Sequence, residues 1–198
     1  MVNLANVRRY LAYRITNPLL GILSKTGVKP NTLTVTSLVL TIVAAYFITD
    51  GHFLLGGAFI LGAGLFDLLD GALARFTMQT TSFGAILDSV FDRISEAVIF
   101  CGLLIWYIPQ GASLSKIVLI FVVMIASFLV SYIRARAEGL SLQCQVGLFT
   151  RAERVIVLAI GLLVNQVFIA LCVVGVFAIV TVVQRLVYLQ KQAKGRGD

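Results

Sequence analysis

Carboxylates are scarce in this chain. Only nine Asp and Glu occur among 198 residues, and charged residues of both signs make up 13% of the total. A soluble domain of this size carries about twice that fraction, so a soluble fold is excluded. Cysteine is equally uninformative as chemistry. Cys101, Cys144 and Cys172 stand far apart, with no CxxC or zinc spacing, and read as small, reduced apolar residues. The lone histidine, His52, follows Gly51 in a short polar stretch and reads as a solvated loop residue. There is no nucleic-acid motif, no internal repeat and no linker, so a nucleic-acid partner is not expected.

What remains is apolar. Hydrophobic residues are 59% of the chain and the mean hydropathy is +0.98, which implies an all-α integral membrane protein. Residues 1–28 carry Leu4, Val7, Leu11, Ile15, Leu19 and Ile22 at three- and four-residue steps, interrupted by Arg8, Arg9 and Arg14. That pattern predicts an amphipathic helix lying in the interface rather than a signal peptide. Six transmembrane helices then follow within residues 29–190. The first runs from Pro30 to about Ile48 and the second from Phe53 to about Phe76. The third runs from near Ser82 to Tyr107, and the fourth from about Leu114 to Arg136. The fifth, short for a span, starts near Arg151 and ends at Asn165-Gln166, and the sixth reaches about Leu189. Residues 191–198 form a basic tail. Nearly all Lys and Arg fall in residues 1–30, the Arg75 loop, the 134–154 connection and the tail, whereas the alternate connections hold only Lys116. The positive-inside rule then puts both termini in the cytosol, in a plasma (inner) membrane.

Against this background the acids are concentrated. Five of the nine lie between Asp67 and Glu96. Their order is Asp67-x2-Asp70-Gly71-x2-Ala74-Arg75-x8-Gly84-x3-Asp88-x3-Asp92. On helices, steps of three and four place Asp67, Asp70, Gly71, Ala74 and Arg75 on one face, and Gly84, Asp88 and Asp92 on another. Two antiparallel helices with a short loop bring the faces together at the cytosolic edge. Four adjacent carboxylates repel unless a cation intervenes. Aspartate oxygens suit Mg²⁺ or Mn²⁺, ions that complete their shells with substrate phosphates. Gly71 and Gly84 leave room for a ligand, and Arg75 can fork onto a phosphate. Two other readings fit the same acids: buried ion pairs, of which Arg75 and Arg93 neutralise only two, and a divalent-cation channel or carrier.

The motif is identified as the signature of the CDP-alcohol phosphotransferase family, matched at every fixed position, with Pro30-Asn31-x-Leu33-Thr34 ahead of the first span in agreement. The resemblance covers essentially the whole chain. It implies transfer of a phosphatidyl or similar group from a CDP-linked lipid, such as CDP-diacylglycerol, to an alcohol, with release of CMP. It also implies that Asp67, Asp70 and Asp88 hold two ions of Mg²⁺ or Mn²⁺ with Asp92 assisting, and that Asp92 is the general base. Asn31, Thr34, Asp67, Asp70, Gly71, Ala74, Arg75 and Gly84 then take the CDP-lipid. A homodimer among membrane lipids is expected. Spacing alone leaves open which carboxylate is base and which is ligand.

A second polar region holds Arg134, Arg136, Arg151 and Arg154, with Arg185 late in the last span. Snorkelling arginines that set topology are one reading. Two Arg pairs across one connection fit a dianionic phosphate better. The strings Tyr132-x-x-Ala-Arg136-Ala-Glu138-Gly139 and Arg151-x-Glu153-Arg154 resemble the family branch that makes phosphatidylinositol phosphate. That implies inositol 1-phosphate, or another phosphorylated alcohol, on Arg134, Arg154 and Arg185, with Arg136 and Arg151 in support. Archaetidyl transfer is similar, and glycerol 3-phosphate is the alternative acceptor.

Overall fold

The computed structural model describes residues 16, 19–21, 23–144 and 146–195. Among them, six long helices appear in the expected order: α1 (Pro30–Thr49), α2 (Phe53–Phe76), α3 (Ser82–Tyr107), α4 (Leu114–Gly139), α5 (Arg151–Leu163) and α6 (Val167–Lys194). The expected amphipathic helix over residues 1–28 and the end of the tail lie largely outside the described residues. Of that first segment, Leu20 is buried among Leu33, Leu69 and Leu73.

Local chemistry explains most boundaries. Pro30 opens α1 at the position where its missing N–H costs nothing. Gly51, at φ +79°, turns the chain between α1 and α2, and a Cβ there would strike the Trp106 ring. Thr81 caps α3 by accepting a bond from the Gly84 N–H at 3.0 Å. Thr150 and Glu153 close a capping box at the start of α5. Two helices run further than expected. α4 takes in Ala137, Glu138 and Gly139, supported by the Arg134–Glu138 pair one turn apart. α6 continues through Lys191 to Lys194, because Lys, Gln and Ala are good helix formers and a cation suits a helix C-terminus.

Four helices, α1, α2, α4 and α6, are long and apolar enough to cross a membrane. α3 has 26 residues but carries Asp88, Asp92, Arg93 and Glu96 between its start and its middle turns. α5 has 13 residues, about 20 Å at 1.5 Å per residue, well short of the ~30 Å hydrocarbon layer. These apolar helices, with exposed outer residues such as Val39, Phe121, Ile125, Val176 and Val183, mark a membrane protein.

The bundle is built by pairing α1 with α2 and α3, α2 with α5, α3 with α4, and both α4 and α5 with α6. The main core lies between them and includes Ile48, Ile60, Leu103, Val123, Leu162 and Leu171. Small residues set the closest crossings. A Cβ at Gly57 would sit 2.9 Å from the Ala159 carbonyl oxygen, and one at Gly102 would sit 3.0 Å from that of Ala45. Close backbone approach of this kind supplies dispersion contacts where lipid offers no hydrophobic drive. The Gly57 crossing brings α5 against α2, which places Arg151 opposite Asp67.

Candidate active site

The paired faces of α2 and α3 do converge. Asp67, Asp70 and Asp88 each present an oxygen within 4.8 Å of the others. Asp70 is buried, and its Oδ2 has no hydrogen-bond partner among the described residues. A buried carboxylate oxygen without a donor is costly, and three carboxylates this close repel. A divalent cation meets both demands, so the donor set fits an oxygen-seeking ion such as Mg²⁺ or Mn²⁺.

Asp92 stands one turn past Asp88 and is not in that trio. Its partner is Arg151, the first residue of α5. Arg151 Nη1 donates to Asp67 Oδ2 at 2.6 Å and contacts Asp92 Oδ1 at 2.7 Å. One guanidinium therefore bridges α2 and α3 at the acid cluster. Sequence reasoning put Arg151 in a supporting place near the acceptor phosphate, whereas its first contacts are with the acids.

The flanking residues group as the motif suggests. The Thr34 hydroxyl bonds back to the Pro30 carbonyl and neighbours Asp70. Arg75 lies over Gly71, with Nη1 3.4 Å from where a Cβ would be. Gly84 has no room for a Cβ, which would meet Thr81 Oγ1 at 2.9 Å and Asn31 Oδ1 at 3.4 Å. Asn31 and Gly84 thus adjoin at the mouth of α1 and α3. Ala74 faces the same end of α2, half-buried.

A cavity of about 500 Å³ opens beside the acids. Asp67, Asp88 and Asp92 line it from α2 and α3, and Arg134, Arg151 and Arg185 line it from α4, α5 and α6. Arg185 is fixed by backbone carbonyls: Nε donates to Val146 O at 3.0 Å, and Nη1 donates to Val130 O. The same turn of α6 secures residues 146–149. The Phe149 N–H bonds Thr181 Oγ1 at 3.2 Å, and the Leu148 N–H bonds Gln184 Oε1 at 3.3 Å. This loop carries the chain into Arg151. Arg134 pairs with Glu138 at 2.8 Å, but both side chains are more than half exposed. Such a pair is worth only ~0.3–0.5 kcal/mol and yields readily to a phosphate. Arg136 is exposed at the same end of α4 and does not line the cavity.

Arg154 corrects the expectation. It does not line the main cavity, because Glu96 holds it inside the bundle. Arg154 Nε and Nη2 reach Glu96 Oε1 at 3.0 and 2.8 Å, and Nη2 reaches Oε2 at 3.1 Å. The two side chains are 2% and 6% exposed. Glu96 was missed as a functional residue, although one signal was available: it extends the Asp88, Asp92 series by one further step of four. Removing one member of a buried pair leaves the other charge uncompensated. We predict that Glu96→Ala lowers unfolding stability by about 3–5 kcal/mol, measured by denaturation in detergent. A loss under about 1 kcal/mol would mean that the pair does not hold α3 to α5.

Comparison with known proteins agrees with this geometry. The family model described as CDP-alcohol phosphatidyltransferase matches residues 28–187. A phosphatidylinositol phosphate synthase of Mycobacteroides abscessus is 36% identical over 181 residues, covering 87% of this chain and 82% of that protein. An archaetidylinositol phosphate synthase of Methanothermobacter thermautotrophicus is 30% identical over 168 residues, covering 82% and 83%. The crystal structure of Mycobacterium tuberculosis phosphatidylinositol phosphate synthase with CDP-DAG bound superposes with a TM-score of 0.77 at 32% identity, covering 87% of this chain and 92% of that one. The same enzyme in complex with manganese and citrate gives 0.77 at 31% identity, covering 86% and 87%. With the acid motif, its convergence on α2 and α3 and these matches together, the chain belongs to the CDP-alcohol phosphatidyltransferase family.

Proposed function

We propose that this protein transfers a phosphatidyl group from a CDP-linked lipid to a hydroxyl of inositol 1-phosphate, releasing CMP and forming phosphatidylinositol phosphate. The observation that carries the reading is the shared cavity. Carboxylates of α2 and α3 face arginines of α4, α5 and α6 across about 500 Å³, a volume typical of small-molecule sites. A metal-assisted pyrophosphate cleavage needs the first set, and an acceptor that already carries a phosphate needs the second. The two mycobacterial and archaeal relatives described above support inositol phosphate as acceptor. The archaeal one makes an archaetidyl lipid equally compatible, because the acids would meet the pyrophosphate that both kinds of CDP-lipid carry.

The residues divide the work as follows. Asn31, Thr34, Gly71, Ala74, Arg75 and Gly84 receive the CDP moiety at the ends of α1, α2 and α3. Arg134, Arg151 and Arg185 hold the acceptor phosphate, with Arg136 and Arg154 flanking. Asp92 accepts the proton of the acceptor hydroxyl. The acceptor oxygen then attacks the lipid-side phosphorus, the bond from that phosphorus to CMP breaks, and CMP leaves with the pair of electrons. Two divalent ions on Asp67, Asp70 and Asp88, with Asp92 assisting, would neutralise the pyrophosphate and make CMP a better leaving group.

The same reading includes the membrane setting. Six helices form the transmembrane bundle, with α5 crossing only part of the hydrocarbon layer, both termini and the site are cytosolic, and two copies form a dimer. The CDP-lipid enters sideways from the inner leaflet, because its tails do not leave the bilayer.

Two outcomes test the proposal. Purified protein given CDP-diacylglycerol and Mn²⁺ should release CMP with inositol 1-phosphate and not with free inositol or serine. Turnover with glycerol 3-phosphate alone would reassign the acceptor, and metal flux into liposomes without CMP release would favour a carrier. Asp92→Asn should reduce CMP release by about 10²–10⁴-fold, the usual worth of a general base, while CDP-lipid binding by calorimetry stays within a few fold. Parallel loss of both would remove Asp92 from the proton-transfer role.

A further inference from the structure

Arg151 differs from the other arginines in how it is held. It is the first residue of α5, where the helix dipole disfavours a cation. Its backbone is fixed by the Thr150–Glu153 capping box, so any movement belongs to the side chain. That side chain is 22% exposed, whereas Arg154 is 2% exposed. Nη1 alone makes both acid contacts, to Asp67 and Asp92. Nε is buried without an acceptor among the described residues. The acid pair therefore leaves the guanidinium under-used, and a bidentate phosphate would engage Nε and an Nη together.

Asp67 is the shared element. It belongs to the three-carboxylate group and also to the Arg151 bridge. A divalent cation and a guanidinium on one carboxylate repel each other in a low-dielectric site. We propose that Arg151 is an exchangeable counter-ion: it neutralises Asp67 and Asp92 until a divalent cation takes Asp67, and it then turns to the acceptor phosphate in the cavity it already lines. The same movement frees Asp92 Oδ1 to accept a proton. Metal binding and acceptor binding are thereby linked, and the base is unmasked once the guanidinium has turned from the acids to the acceptor phosphate. This inference rests on the metal and acceptor assignments proposed above.

The linkage is measurable without turnover. Mn²⁺ binding to the purified full chain is followed by electron paramagnetic resonance of the free ion, in wild type, Arg151→Gln and Arg151→Lys. Arg151→Gln removes the competitor, so its Mn²⁺ affinity in the absence of substrates should rise by about 5–150-fold, the usual range of a coupling between sites. Inositol 1-phosphate should tighten Mn²⁺ binding in wild type and have little effect in Arg151→Gln. If the glutamine variant does not fold, Arg151→Lys serves, because a single ammonium bridges the two acids poorly and should also bind Mn²⁺ more tightly than wild type. Mn²⁺ affinity that is unchanged or weaker in the folded variant would overturn the exchange, and so would the absence of linkage in wild type. CMP release scores the functional reading separately. Turnover with inositol 1-phosphate but no linkage would sink the exchange alone. Linkage without turnover would keep the exchange and discard the acceptor reaction.

Discussion

Crowding of like charge in an apolar bundle is the constraint from which the rest follows. Asp67, Asp70 and Asp88 stand within 4.8 Å of one another, with Asp92 one turn away, in a chain that has few other acids. Such a cluster is tolerated when positive charge is delivered to it or when protons neutralise part of it. Arg151 delivers some of that charge from α5. Asp70 Oδ2 has no partner among the described residues, so the donors around it there do not complete the task. The donor set thus fits a divalent cation, and such a cation suits the pyrophosphate chemistry of the family.

The fold can be understood as the means of bringing a basic half to this acidic half. The Gly57 crossing lets α5 approach α2. Thr181, Gln184 and Arg185 tie residues 146–149 to α6, so that α5 begins at a defined height. The buried Glu96–Arg154 pair joins α3 to α5 one turn deeper than Asp92 and Arg151. Buried ion pairs of this kind add little net stability. This one sits where a helix slip would separate the cluster from its guanidinium, which gives it a positional reason to exist.

Much of this was legible in the sequence, for identifiable reasons. α2 and α3 came out with the expected ends because Asp50-Gly51 and Pro109 punctuate apolar runs and the Asp spacings follow helical steps. The acid trio was legible because helical periodicity converts spacing directly into a shared face. The arginines were less so. Each is a long side chain whose head lies several ångströms from its Cα, and helix faces do not reveal which partner it finds. Arg154 was expected at the acceptor and is bound to Glu96 instead. Arg151 was expected in support and instead bridges Asp67 and Asp92. The far ends of α4 and α6 were set too short, because charged residues were read as leaving the helix when their propensity sustains it.

The most direct test of the central claim is anomalous diffraction at the manganese edge from crystals grown with Mn²⁺ and CDP-diacylglycerol. The account predicts a peak among Asp67, Asp70 and Asp88, next to the pyrophosphate, that is lost in Asp70→Asn. Strong manganese sites elsewhere with none among these three aspartates would contradict it.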